Sequence, residues 1–489
     1  MPLLSYGRAM AWHAERDAHG VALVYEQRRV TRAELELRSN RLARGYATLG
    51  VREDDLVTLA LPNGVEFIEA CLAIWKLGAT PQPISARLPE IERRAIVELA
   101  QPRLVVGVAP GEYGERLHVP LGFEPDAALS DAPLPDRLPR HVRAMTSGGS
   151  TGRPKLIIDL AAAQCDPEIA ENGMQPGGTT LVAGPLYHAG PFITAWQQLL
   201  CGGTVVIMKK FEARLALELI ERHRIDWVLF VPTMMQRIWR LPEPERSRFD
   251  LSSLRRVMCT GAPSPAWLKR AWIGWLGPEK IFEAYGGTER IAGTLSSGSE
   301  WLERPGSVGR ATGGRRLRIQ KPDGSECAPH ETGEVFMLPP GGQGSTYRYI
   351  GAEAATTADG WETLGDLGYL DEDGYLYLVD RKADMILVGG ANVYPAEIEA
   401  ALDAHAAVRS SAVIGLPDED LGNRIHAIVD ATEPVSEQEL REHLMKHLAP
   451  NKLPRSFEFV NEPLRDDAGK LRRSALRDAR IRQEENDEA

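Results

Sequence analysis

Short apolar, β-rich runs recur along the first half of the chain, at Leu56–Leu61, Leu104–Val108, Thr204–Met208 and Trp227–Val231. Each has the length of one buried strand. After the first run, Val65, Ile68, Leu72 and Trp75 recur at spacings of three and four, which predicts one face of a helix. That helix begins after Pro62-Asn63, with Asn63 as N-cap, and ends near Gly78. Strands alternating with helices predict a multi-layered α/β domain with largely parallel strands, from the start of the chain to about Val379.

From Asp323 the texture changes. The turn pairs Asp323-Gly324, Asp359-Gly360 and Asp373-Gly374 separate short strands, so the large domain closes in β-rich structure. Residues 380–489 read as a small α+β domain. It holds a glycine turn, a helix at Pro395–Leu402, a strand near Ser411–Gly415 and helices after Ser436. The acidic end, Gln483–Ala489, reads as a solvated tail. The expected organisation is thus a domain over 1–379 and a second, mobile one over 380–489.

Composition narrows the function by exclusion. The 489 residues carry 57 Lys+Arg against 68 Asp+Glu, a net charge of -11, which argues against a general nucleic-acid binder. The five cysteines form no C-x-x-C pair, so neither a disulfide framework nor a zinc site is expected. No leader pattern opens the chain, and no apolar run reaches the roughly 18 residues of a membrane span. A cytoplasmic enzyme is the expectation.

The most informative stretch is Thr146-Ser147-Gly148-Gly149-Ser150-Thr151-Gly152-Arg153-Pro154-Lys155. Glycines let backbone approach an anion, hydroxyls donate hydrogen bonds, and Lys155 adds charge. Pro154 disfavours helical geometry at Arg153, so this is no P-loop opening into a helix. Val142–Met145 and Leu156–Ile158 read as strands joined by a phosphate-gripping turn. A surface linker of small polar residues is the plain alternative.

This loop resembles that of the adenylate-forming superfamily of acyl- and aryl-CoA synthetases, luciferases and peptide adenylation domains, whose pattern is roughly T-S-G-[ST]-T-G-x-P-K. Aligned from Lys155 backwards, Gly148 stands where the family usually has serine and Ser147 where it has threonine. Further motifs follow in the family's order: Tyr285-Gly286-Gly287-Thr288-Glu289, Gly365-Asp366, Asp380-Arg381-Lys382, Met385–Glu399 and Gly469-Lys470.

The resemblance implies roles for these residues. ATP would be held by Ser147, Gly149, Ser150, Thr151, Gly152 and Lys155. Gly261, Ala262, Pro263, Glu283, Ala284, Tyr285 and Gly286 would surround adenine, and Asp366 with Arg381 would meet the ribose. Thr288 would meet the α-phosphate, and Glu289 would hold Mg²⁺. Lys470 would act on the carboxylate and α-phosphate, while His188 would border the acyl pocket. Gly389 and Gly390 would reach the site only for the second half-reaction. The usual polar hinge position is Ala383 here.

The implied partners are a small carboxylic acid, ATP and coenzyme A, with homodimer formation left open. The tract Gly342–Gly351, with Gly360–Asp366 and Gly389–Pro395, is similar to bile-acid or steroid-type CoA ligases and suggests a bulky, hydrophobic or aryl acid. An amine acceptor, a carrier-protein acceptor and a catalytically silent nucleotide-binding protein are the alternatives.

Overall fold

The computed structural model describes residues 2–109, 112–113, 116–148, 154–466 and 469–487. Its largest sheet has two halves. Val21–Tyr25, Thr204–Ile207, Thr179–Val182, Trp227–Phe230, Arg256–Cys259 and Ile281–Gly286 lie side by side and parallel. Their apolar residues are buried on both faces, as the unbroken hydrophobic runs require. The sheet then continues antiparallel through Gly293–Ser297, Ser307–Ala311, Leu376–Arg381, Glu362–Leu370, Gly333–Leu338 and Arg316–Gln320. The turn-rich texture from Asp323 falls inside this antiparallel half, which already begins at Gly293–Ser297. Gly324, Gly360 and Gly374 all take the left-handed conformation in the turns that reverse strand direction.

A second, parallel sheet joins Thr80–Pro83, Leu56–Leu59, Leu104–Val106 and His118–Val119. The predicted helix is found at Val65–Lys76, but the one-face reading is too narrow. Of its residues only Glu66 escapes full burial. Asn63 also differs from expectation, because the N-cap is Gly64 and makes no side-chain cap bond. The Asn63 amide instead donates to the Gly184 and Met208 carbonyls at 3.0 and 2.9 Å and accepts from Leu186 N–H at 2.8 Å. Three backbone groups after two strand ends need partners, and they outbid one helix turn. Lys76 closes the helix in the interior, 2.8 Å from Glu36, and burial pushes its pKa down to about 8.

The two strands expected around the glycine–hydroxyl loop are Ala144–Gly148 and Pro154–Asp159, antiparallel with Ser147 opposite Lys155. Tyr347–Ile350 pairs on the other side of Pro154–Asp159. The small domain packs Pro395–Asp403 and Glu437–Met445 against Val408–Asp418, Gly422–Ala431 and Ser456–Val460. A capping box of Ser436 and Glu439 starts the second of those helices. The acidic end departs from the solvated-tail reading: the helix Arg473–Asp487 extends into it, and Arg424 pairs with Glu484. Leu476 and Ile481 dock that helix on Ile414 and Leu416, which outweighs the polar composition of its other face.

Candidate active site

Several motifs that lie far apart in sequence meet where the two sheet systems face the small domain. Lys155 is the second residue of the strand Pro154–Asp159, so its side chain is carried at a fixed register beside Tyr347–Ile350. Its ammonium lies 3.5 Å from Glu289 Oε1 and 3.9 Å from the centre of the Tyr349 ring. Tyr349 hydroxyl donates to the same Glu289 oxygen at 2.7 Å, and Thr346 hydroxyl donates to the Glu289 carbonyl at 2.9 Å. Glu289 is buried.

Thr288 occupies the turn before it, closed by Arg290 N–H donating to the Gly287 carbonyl at 3.1 Å. A Cβ at Gly287 would stand 2.7 Å from Glu289 Oε2 and 2.5 Å from Leu364 Cδ1. Glycine is thus what leaves the carboxylate room. A buried carboxylate beside a phosphate-loop lysine is a donor set that suits a hard cation shared with phosphate oxygens.

Asp366 lies opposite Arg381 in the strand ladder, which puts guanidinium and carboxylate 3.3 Å apart. Its other oxygen accepts from Tyr285 hydroxyl at 2.6 Å. Burial raises the Asp366 pKa, and Arg381 and the tyrosine oppose that. Both oxygens keep lone pairs for further donors, as recognition of a vicinal diol requires.

Gly261, Ala262 and Pro263 form the exposed-to-half-buried turn after Arg256–Cys259. Thr260 hydroxyl ties that turn to the Ala284 carbonyl at 2.7 Å. Gly286 ends its strand opposite Gly293. The Glu283 carboxylate is paired with the equally buried Lys269, so its side chain supports the wall and leaves only its backbone to face the turn.

Lys470 reaches the cleft from the small domain. Its surface meets solvent, yet the protein crowded around it lowers its pKa, with Asp466 and Glu289 opposing and Arg381 reinforcing the shift. It therefore shares a field with residues of the large domain. The turn holding it is tight: Lys470 N–H donates to Asp466 Oδ1 at 2.9 Å, and Gly469 is left-handed. A Cβ on Gly469 would sit 2.9 Å from Thr233 Oγ1 of the large domain. Arg240 donates to the carbonyls of Val408 and, at 3.0 Å, Arg409, across the same junction.

Gly389 and Gly390 are not brought to this cleft. They turn the hairpin Ile386–Val388 and Ala391–Val393, where Gly389 N–H bonds the Leu421 carbonyl. His188 is half-buried and is the N-cap residue of the helix Ala189–Leu200, its ring 4.4 Å from that of Tyr187. Ser147 contributes its strand backbone, while Gly149, Ser150, Thr151 and Gly152 lie outside the described residues. A neighbouring cleft, open to solvent, is lined by Leu61, Tyr187, Phe211 and Met234 with Lys209, Lys210, Arg237, Arg465 and Asp466.

Sequence reasoning did not single out Tyr349, Arg290, Asp159 or Arg240. Tyr349 carries only the alternation of a strand, a signal for packing; its chemistry arises from pairing with the distant strand Pro154–Asp159 that carries Lys155.

A cleft with this inventory, built across a large and a small domain, defines a nucleotide-handling enzyme that works on phosphate and carboxylate groups. The chain belongs to the AMP-binding enzyme family: residues 10–342 match the family so described, and residues 397–470 match the AMP-binding enzyme C-terminal domain. Feruloyl-CoA synthase from Amycolatopsis sp is 34% identical over 479 residues, 95% of this chain and 96% of that one. The 2-succinylbenzoate–CoA ligase of Bacillus subtilis is 30% identical over 477 residues, 96% of each.

Among solved structures, o-succinylbenzoate CoA synthetase (MenE) from Bacillus subtilis, in complex with the acyl-adenylate intermediate OSB-AMP, superimposes with a TM-score of 0.83. It is 28% identical, and the match covers 97% of this chain and 98% of that one. The TM-score is 0.82 for its complex with ATP and magnesium ion, and 0.69 for a double mutant bound to its product analogue OSB-NCoA. The mixed α/β fold with a large N-terminal and a small C-terminal domain is that of these enzymes. No helix among the described residues is long and apolar enough to cross a membrane.

Proposed function

We propose that the chain is an AMP-forming carboxylate–CoA ligase acting on an aryl or similarly bulky hydrophobic acid. The observation that carries this reading is the meeting of Lys155, Glu289, Asp366 and Arg381 with Lys470 from the other domain. In the first step the acid's carboxylate oxygen attacks the α-phosphorus of ATP, the bond to the β-phosphate oxygen breaks, and pyrophosphate departs. Lys155 and Lys470 supply positive charge to offset the charge that develops, and Asp366 accepts hydrogen bonds from the ribose. Mg²⁺ held by Glu289 would supply further neutralisation of the phosphate charge.

In the second step the thiolate sulfur of coenzyme A attacks the acyl carbon of the mixed anhydride and AMP leaves. The thiol proton passes to solvent. The small domain, taken as 380–489, turns about Asp380–Ala383 between the steps, withdrawing Lys470 and presenting Gly389–Gly390. The present arrangement, with Lys470 inward and Gly389–Gly390 outward, suits the first step. The basic lining of Lys209, Lys210, Arg237 and Arg465 favours a polyanionic acceptor such as coenzyme A over a neutral amine.

The relatives' acids, ferulate and succinylbenzoate by name, support an aryl substrate. Steroid-type acids remain the upper end of the size range. The test is AMP release from MgATP with aryl, fatty, terpenoid and steroid acids, each with and without coenzyme A. Acid-dependent turnover that requires coenzyme A is expected. Acid-dependent pyrophosphate exchange without stimulation by coenzyme A would move the acceptor to an amine or a carrier protein.

A further inference from the structure

Glu289 is followed at once by a residue in a costly conformation. Arg290 has φ +56°, in the left-handed region that arginine seldom occupies, and its peptide N–H closes the turn onto Gly287. Something must hold it there. Arg290 Nη1 donates to both Asp159 oxygens, at 3.2 and 3.4 Å. Asp159 has 3% of its side chain exposed and is gripped from the interior by Arg143, equally buried, at 3.1 Å. The Arg143 Nε has no hydrogen-bond partner among the described residues. A buried charge with an idle donor is expensive, and folding alone would be served better by apolar residues.

The position of Asp159 gives the arrangement a use. It ends the strand that Lys155 nearly begins, and its neighbour across the sheet, Tyr347, lies two residues before Tyr349. The ion pair therefore fastens the Glu289 turn to the same rigid sheet that carries Lys155 and Tyr349.

We propose that Arg290 is a positioning residue for Glu289: clamped by Asp159, with Arg143 behind it, it locks the left-handed turn that aims the Glu289 carboxylate at Lys155. This rests on the ligase reading only in that Glu289 is taken to meet Mg²⁺ and phosphate. The clamp predicts loss of cation handling rather than loss of acid binding when it is cut.

The experiment compares Arg290→Ala, Arg290→Gly and Arg290→Lys with the natural chain, because Asp159→Asn would leave the buried Arg143 without its carboxylate and threaten folding. ATP–pyrophosphate exchange is titrated with Mg²⁺ at saturating acid, and ligand-free crystal structures of the natural chain and the alanine variant are solved. Arg290→Ala and Arg290→Gly should raise the half-saturating Mg²⁺ concentration at least fivefold with the KM for acid within twofold. Arg290→Lys, which keeps a cation for Asp159, should recover most of that shift. In the alanine crystal the Glu289 carboxylate should leave Tyr349. An unchanged Mg²⁺ dependence with only a lower melting temperature overturns the proposal. So does a Glu289 carboxylate that keeps its bonds to Tyr349 and Lys155 in that crystal. Should the natural chain exchange with no acid at all, the ligase reading falls, and the crystallographic comparison still decides the clamp.

Discussion

Replacing Gly469 with alanine separates the two halves of the reaction by a single methyl group. Two costs can be distinguished. The first is conformational: alanine at the φ of +76° found at Gly469 costs about 1 kcal/mol. The turn that imposes this φ is internal to the small domain, with Gly469 N–H bonded to the Asp466 carbonyl at 2.9 Å. That cost is present in any orientation of the domain and is read as lower stability.

The second cost exists only while the domain is docked as seen here, where the new Cβ would stand 2.9 Å from Thr233 Oγ1 and 3.5 Å from its Cγ2. An overpacked contact of this kind costs about 1–2 kcal/mol, which is roughly a five- to thirtyfold loss in rate. Adenylate formation, measured by pyrophosphate exchange, should fall by that factor. Thioester formation from a supplied acyl-adenylate should change less than twofold. Adding Thr233→Ala removes the oxygen and the methyl and should restore most of the exchange rate while leaving the stability loss. Equal losses in both half-reactions, or no rescue by Thr233→Ala, would refute the argument.

Lys470→Ala should reduce adenylate formation by about a hundredfold or more and largely spare thioester formation from supplied adenylate; equal loss in both would count against separate domain orientations. Lys269→Met strands the buried Glu283 charge and should lower stability by about 3–5 kcal/mol, whereas Lys269→Met with Glu283→Leu should recover most of it in urea titrations. Asp403 is half-buried, accepts from Ser411 hydroxyl at 2.8 Å, and has its pKa raised to about 7 by the protein packed around its carboxyl group. The folded state therefore holds a proton that the unfolded state releases near pH 4, so this contribution is complete below that pH and is lost as pH rises through 7. Asp403→Asn should flatten the decline in small-domain stability across that window, and a slope equal to that of the natural chain would contradict the assignment.

What the sequence made legible follows from where the information sits. Parallel strands such as Thr204–Ile207 and Trp227–Phe230 are buried at three of four positions each, so their identity is written in consecutive apolar residues. Tyr285 to Glu289 and Asp366 were readable because each motif concentrates its chemistry in a few neighbours. The helix Val65–Lys76 was found by its period, but burial on every side cannot be inferred from four residues at helical spacing. Asn63 was misjudged because its partners, Gly184, Leu186 and Met208, lie more than a hundred residues away. The same holds for Arg290 and Asp159, separated by 131 positions, and for Arg240 and Val408, separated by 168. Glu283 shows the converse: it stands beside a motif residue, yet the strand register hands it to Lys269.

The grip of Arg240 on the small domain has a consequence for how the two parts of such a protein drift over generations. It holds peptide oxygens, those of Val408 and Arg409, and no side chain. A carbonyl looks the same whichever residue bears it, so this docking point survives replacement at both positions provided the strand keeps its path. A small domain transplanted from a distant cousin should find the same handhold, and the two parts can diverge without having to change in step.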